Sequence, residues 1–191
     1  MFAGHFGLAA LVKSRTRKVP LWALMVSSQL LDVVFIPLVM TGTESMDETV
    51  YGGGYGGVVI HADYTHSLLG ALLLTIVAAC VGRWIWGKQA GVIIGAVVFS
   101  HWLLDLLVHR ADMPLLPGNW GDLPLLGFGL WQYPWISIAL ESLLIAAGTW
   151  MYARTALQRA GRSSRVTPII TSALLGIVLI LLLVSDADGW F

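Results

Sequence analysis

The sequence predicts an all-α polytopic membrane protein, a bundle of about five transmembrane helices with the N-terminus in and the C-terminus out. Three observations predict this class. Hydrophobic residues make up 57% of the 191 and charged residues only 12%, about half the ~25% of a soluble domain. Mean hydropathy is +0.79. The apolar residues fall into runs of about 20, the length that crosses a bilayer core, and the cations fall between alternate runs. The same composition excludes a disordered chain and an ordinary soluble enzyme. With 11 Lys+Arg against 11 Asp+Glu, no basic nucleic-acid-binding surface is expected. The single cysteine, Cys80, excludes a disulfide framework and a cysteine-based metal knuckle.

Residues 1–191 form one membrane domain. Residues 1–19 open with FAGHFGLAALV, apolar but too short to span, and are expected to be interfacial or re-entrant. Positive charge follows this stretch instead of preceding it, so it does not read as a secretory signal. The spans are expected at about 20–40, 65–86, 89–109, 133–153 and 167–184. Residues 41–64 make the first long connection, and YGGGYGG at 51–57 reads as a flexible lid. It is no phosphate loop, since no strand precedes it and no Lys-Ser/Thr follows. GVIIG at 91–95 spaces small residues for close helix packing. Residues 110–132 make the second long connection. The last span, TPIITSALLGIVLILLLV, carries no charge and reads as packing or anchor.

The loop charges set the direction. Lys13, Arg15, Arg17 and Lys18 precede the first span, Arg83 and Lys88 flank the turn between the second and third, and Arg154, Arg159, Arg162 and Arg165 separate the last two. Five spans put all ten on one side, which the positive-inside rule makes cytoplasmic; only Arg110 falls outside. Trp22, Trp84, Trp86 and Trp150 fall near the inner ends and Trp131, Trp135 and Trp190 near the outer ends, where indole rings favour the interface.

Against this background the ionisable residues inside the spans stand out. Asp32, His101, Asp105 and Glu141 lie within them, and three buried carboxylates imply a penalty of roughly 8–10 kcal/mol. No Lys or Arg lies mid-span to pair with them, so compensation is expected from protons, water, histidine or a bound cation. The directions of the helices place Asp32, His66, His101, Asp105, His109 and Glu141 in outer halves, with His61 and Asp63 just above. Four helices can therefore share one outward-facing polar pocket.

Spacing points to a divalent metal. His101 and Asp105, four apart, stack on one helical face about 6 Å apart along the axis. A single helix offers two ligands to one ion at this spacing. Asp63 and His66, three apart, form a similar pair. His109 lies ~12 Å along the axis from His101, too far to share the same ion unless the helix end unwinds. Imidazoles and carboxylates without thiolate suit zinc first, with manganese or iron as alternatives. His66, His101, Asp105 and Asp32 are the expected ligands, and His109 and Glu141 the expected catalytic proton carriers or holders of a second metal. His5 reaches the pocket only if residues 2–12 re-enter the membrane. In HRADMPL at 109–115, Arg110 is a candidate for orienting an anionic substrate.

These blocks also carry a resemblance. MFAGHFGLAALVK, SSQLLDVVFIPLV, DYTHSLLGALL, SHWLLDLLVHRADMPL, GLWQYPW and ALESLLIAAGTWMYAR resemble, in the same order over about residues 1–155, the bacterial inner-membrane family of membrane-bound, metal-dependent hydrolases. The most specific block is S-H-W-x-x-D-x-x-x-H-R. The resemblance marks His5, Asp32, His66, His101, Asp105 and His109, with Glu141 as a further polar position. Before His66 the chain is two residues shorter than the family's usual D-Y-P-Y-S-H-S.

Cluster and resemblance together imply a multi-pass inner-membrane hydrolase acting on a lipid or phosphoester. Two other classes fit the same cluster. A transporter or permease uses intramembrane carboxylates and histidines for cations or protons, although no repeat supports alternating access. A non-catalytic protein uses a closed metal site as a staple between helices.

Overall fold

The computed structural model describes residues 1–48, 58–160 and 164–188. The glycine-rich segment expected as a lid, Arg162 and Trp190 lie outside them. Among the described residues, seven α-helices run in the order α1 (Phe2–Arg15), α2 (Leu21–Ser28), α3 (Leu30–Met40), α4 (Leu68–Trp86), α5 (Lys88–Val108), α6 (Pro134–Ala160) and α7 (Val166–Asp188). α4 to α7 are each long and apolar enough to cross a membrane, and α2 with α3 makes up to a fifth span.

The first expected span is a broken helix. α2 and α3 meet at Gln29 with a bend of 51°, where the backbone leaves helical geometry at φ −117°, ψ 13°. The break affects the residues on both sides of it. The Ser28 carbonyl, in the last turn of α2, is one of the four that a helix end leaves without an intrahelical partner. Asp32 falls in the first turn of α3, where the positive end of the helix dipole favours a carboxylate.

α1 is packed inside the bundle, mainly against α6 and also against α2 and α7. A Cβ on Gly7 would stand 2.8 Å from the Leu144 carbonyl oxygen, and one on Gly148 would strike the Gly7 carbonyl. The two backbones therefore touch, which only glycine permits. The first N–H groups of α1 are satisfied from afar. Ala3 N–H donates to Asp186 Oδ2 at 3.1 Å and Gly4 N–H donates to Glu141 Oε2 at 3.0 Å. Helix N-termini leave such donors orphaned and favour negative charge. Glu141 is thus compensated by a buried helix N-terminus, a partner outside the protons, water, histidine or cation expected for intramembrane acids. The last helix is likewise more than an anchor, since it continues past residue 184 and supplies Asp186.

At the other end of α1, Arg159 Nη2 donates to the Ser14 carbonyl, so the cation-bearing ends of α1 and α6 lie together. α4 and α5 turn on Gly87 at φ +89°, a left-handed conformation that favours glycine. Their contact is close: a Cβ on Gly91 would meet the Ala79 carbonyl at 2.5 Å, and one on Gly95 the Ala79 side chain at 3.0 Å.

The long connections gather at the opposite end. One contains a two-stranded antiparallel hairpin, β1 (Ser45–Glu48) and β2 (Val58–His61), with Ser45 opposite His61. The other lies over the start of α4: Leu68 and Leu69 N–H donate to the Pro114 and Leu115 carbonyls. Met113 and Leu126 bridge across it. Ser67 caps α4 by accepting from Gly70 N–H at 3.0 Å, the usual role of a serine at this position.

Candidate metal centre

Five side chains from four regions of the chain meet near the hairpin end. His101 and Asp105 project from one face of α5, with His101 Nε2 2.8 Å from Asp105 Oδ2. Asp32 comes from the first turn of α3. His66 precedes the Ser67 cap, in a bend and not within the expected helix. His5 comes from α1: its ring stacks on His101 at 3.9 Å, and its Nε2 lies 3.0 Å from Asp105 Oδ1. His5, His66, His101 and Asp105 are buried. The Asp32 side chain is 31% exposed, so the cluster is open on that side.

The partners of the outer ring nitrogens assign the protons. His101 Nδ1 lies 2.7 Å from the Ser28 carbonyl. A carbonyl only accepts, so Nδ1 carries hydrogen and Nε2 of the neutral ring presents a lone pair. At His66 the assignment passes through two residues. Buried Glu44 accepts from Tyr64 N–H and Thr65 N–H, both at 2.8 Å, and from the Thr65 hydroxyl at 3.1 Å. With its one hydrogen committed to the carboxylate, Thr65 Oγ1 accepts from His66 Nδ1 at 2.9 Å. His66 Nε2 then also presents a lone pair. Trp102 Nε1 donates to the His66 carbonyl at 2.8 Å and fixes the backbone beneath it.

The result is a knot of acceptors. His66 Nε2 and His101 Nε2 are 3.3 Å apart. Asp32 Oδ1 lies 3.4 and 3.5 Å from these two nitrogens, and Asp105 Oδ2 lies 3.6 and 2.8 Å from them. Tetrahedral ligands with metal bonds of about 2.0–2.1 Å stand about 3.3 Å from one another, so these separations suit one small ion. Two carboxylates and two neutral imidazoles would be balanced in charge by one divalent cation. His5, Asp105 and His101 form a second triad whose ligand atoms lie within 4.8 Å of one another. The residues therefore fit a metal, in the nitrogen and oxygen chemistry that zinc, manganese and iron accept.

The remaining expected site residues are spread around this cluster. His109 is buried at the end of α5, where the helix stops at Val108. Its Nδ1 lies 3.0 Å from Asp112 Oδ1, and its ring lies 6.2 Å from that of His66 and 4.2 Å from that of Trp131. Glu141 is turned to the Gly4 N–H at the start of α1. Asp63 belongs to neither triad, and its backbone carbonyl accepts from Gly118 N–H at 2.9 Å. Arg110 accepts through its carbonyl from Asp112 N–H at 2.7 Å. His61 turns to Asp47 on the exposed hairpin, at 3.0 Å.

Glu44, Thr65 and Ser28 were not singled out by sequence. Glu44 reads there as one more acid in an outer connection, and nothing local ties it to His66. Outer partners of metal-binding histidines typically contribute 10–100-fold to affinity. Glu44→Ala is expected to weaken metal binding by roughly that factor. Glu44→Gln should recover part of the loss, because its amide oxygen still accepts from the two backbone N–H groups. Metal titration of the three proteins reads this directly, and equal affinities would mean that the chain from Glu44 to His66 does not hold the ring.

Comparison with curated proteins finds no match, and neither does comparison with solved structures. The sequence model of the YdjM inner membrane protein family matches residues 2–188, nearly the whole chain and every residue of the cluster. Together with the apolar helices this makes the chain a multi-pass inner-membrane protein, and it belongs to the YdjM inner membrane protein family.

Proposed function

We propose that the cluster is the centre of a metal-dependent hydrolase that cleaves a phosphoester or acyl bond of a membrane lipid. The observation that carries this reading is the convergence of two imidazole lone pairs and two carboxylates on one point, open on the Asp32 side. Asp32, His66, His101 and Asp105 would hold the ion, with zinc the first choice. A divalent ion bound there supplies Lewis-acid activation of water and of a phosphoryl or acyl oxygen.

The chain's own residues account for the rest. His5 donates from Nε2 to Asp105 Oδ1, which leaves Oδ2 turned toward His66 and His101. Asp112 accepts from His109 Nδ1, so His109 Nε2 is the nitrogen that can take a proton from the attacking water and return it to the leaving group. Trp131 against the His109 ring restricts its rotation. Trp120, Phe128 and Trp135 are exposed on the connection that follows α5 and at the start of α6. Aromatic rings of this kind favour the lipid interface, which supports a substrate drawn from the bilayer.

The test uses purified, metal-loaded protein in mixed micelles with phosphoester and acyl lipids. Hydrolysis of one class is expected. His109→Gln should lower it by about 10²–10⁴-fold, the usual worth of a positioned acid–base group, while metal content stays unchanged. A loaded protein that cleaves neither class would end the hydrolase reading. The cluster would then be tested as a cation or proton path.

A further inference from the structure

A second site stands at the opposite end of the bundle. Arg15, Arg17 and Lys18 of the α1–α2 connection and Lys88 at the start of α5 line one cavity of about 690 Å³, with Val92 and Ile93 as its apolar wall. Lys88 precedes His101 by 13 residues on a continuous helix, so the cavity lies ~20 Å from the metal cluster.

Three features set this cavity apart from a generally basic face. Three neighbouring cations at this end have partners: Lys13 donates to the Val19 carbonyl, Arg159 donates to the Ser14 carbonyl, and Arg154 lies 5.6 Å from the Trp150 ring. By contrast, among the described residues none of the four cavity cations makes an ion pair or a side-chain hydrogen bond. The second feature is that, among the described residues, no acid lines the cavity, so four like charges from two separate segments face one space. The third is the first turn of α5, which has no side-chain cap and whose N–H groups add to the positive potential.

We propose that this cavity binds the phosphate of an anionic phospholipid. The cations and the start of α5 receive the headgroup. Val92, which is exposed, and Ile93 lie one turn further along α5 and offer an apolar wall for the acyl chain. Basic pockets between transmembrane helices suit such headgroups. A free phosphate ion shares the headgroup chemistry but gains nothing from the apolar wall.

The test measures binding of phosphatidylglycerol, phosphatidylcholine and inorganic phosphate to the full-length protein in detergent, by native mass spectrometry and titration. Phosphatidylglycerol is expected to bind in preference to phosphatidylcholine, with inorganic phosphate a poor competitor. Neutralising one cavity cation, as in Lys88→Gln, should cost about fivefold, and the triple variant Arg17→Gln, Lys18→Gln, Lys88→Gln on the order of 100-fold. Arg83→Gln, an exposed cation outside the cavity, serves as the control and should leave the preference intact. Metal content and circular dichroism should match wild type in every variant, because the substituted side chains are exposed. Equal losses in Arg83→Gln and Lys88→Gln would overturn the proposal, since diffuse charge would then explain the binding. Full displacement by inorganic phosphate would overturn it in favour of a soluble anion.

Discussion

Replacing His101 with alanine is expected to abolish binding of the divalent metal proposed for the cluster. His101 belongs to both candidate triads, so its loss leaves only Asp32, His66 and Asp105 of the four proposed ligands. The expected fall in affinity exceeds the 10–100-fold typical of outer partners, and elemental analysis should read near zero. Asp105→Asn is the sharper variant. It keeps the shape and can still accept from His5, but it removes one of the two charges that balance the ion. A similar loss is expected, whereas His5→Ala, which only frees Asp105 Oδ1, should cost less. The measurement is metal stoichiometry after reconstitution with zinc, manganese or iron, followed by titration. If the His101→Ala, Asp105→Ala double variant binds metal as wild type does, the ion is held elsewhere. If the reconstituted wild type binds none, the hydrolase reading falls with it.

Gly148→Val is expected to undo α1. The new Cβ meets the Gly7 backbone, which cannot rotate away as a side chain can. Overpacking of a tight contact costs typically 1–3 kcal/mol, and a backbone obstacle should bring this variant to about 3 kcal/mol. The consequence extends beyond stability. α1 carries His5, so displacing the helix removes the group that orients Asp105 and unpairs Glu141 and Asp186 from the N–H groups of Ala3 and Gly4. The melting temperature should fall by several degrees, and metal affinity with it. Gly176→Ala is the control: its Cβ meets only the Thr149 methyl at 3.2 Å, which can shift. A Gly148→Val protein with wild-type melting and metal content would contradict the close contact of α1 and α6.

The electrostatic problem posed by the intramembrane acids thus has several solutions in one molecule. Asp32 and Asp105 face imidazoles and the ion they would share. Glu141 and Asp186 instead satisfy a helix N-terminus that starts inside the bundle. Glu44, from a connection, satisfies two backbone N–H groups and holds a threonine against His66. Position in the sequence marks Asp32, Asp105 and Glu141 as costly and passes over Glu44 and Asp186; the partners separate the proposed ligands from the supports.

Much of the molecule is legible in local pattern. Run length and hydropathy located the apolar helices, because a bilayer imposes a length on each crossing. The spacing of four between His101 and Asp105 put both on one face of α5, since the helix repeat does so wherever the chain is helical. Asp32, His101 and Asp105 come together in the structure because depth along a helix can be counted in residues, and His66 joins them from the bend just ahead of α4. Other features have no local signature. The break at Gln29 releases the Ser28 carbonyl for His101. The entry of α1 brings His5 to Asp105 across 100 residues and Gly4 to Glu141 across 137. The path from Glu44 through Thr65 to His66 joins a loop to a helix start. Each depends on which faces meet and how closely, and that is set by glycine contacts such as Gly7 on Gly148. Periodicity encodes the face a helix presents; it does not encode the partner that face finds, because partners are chosen by packing over the whole bundle.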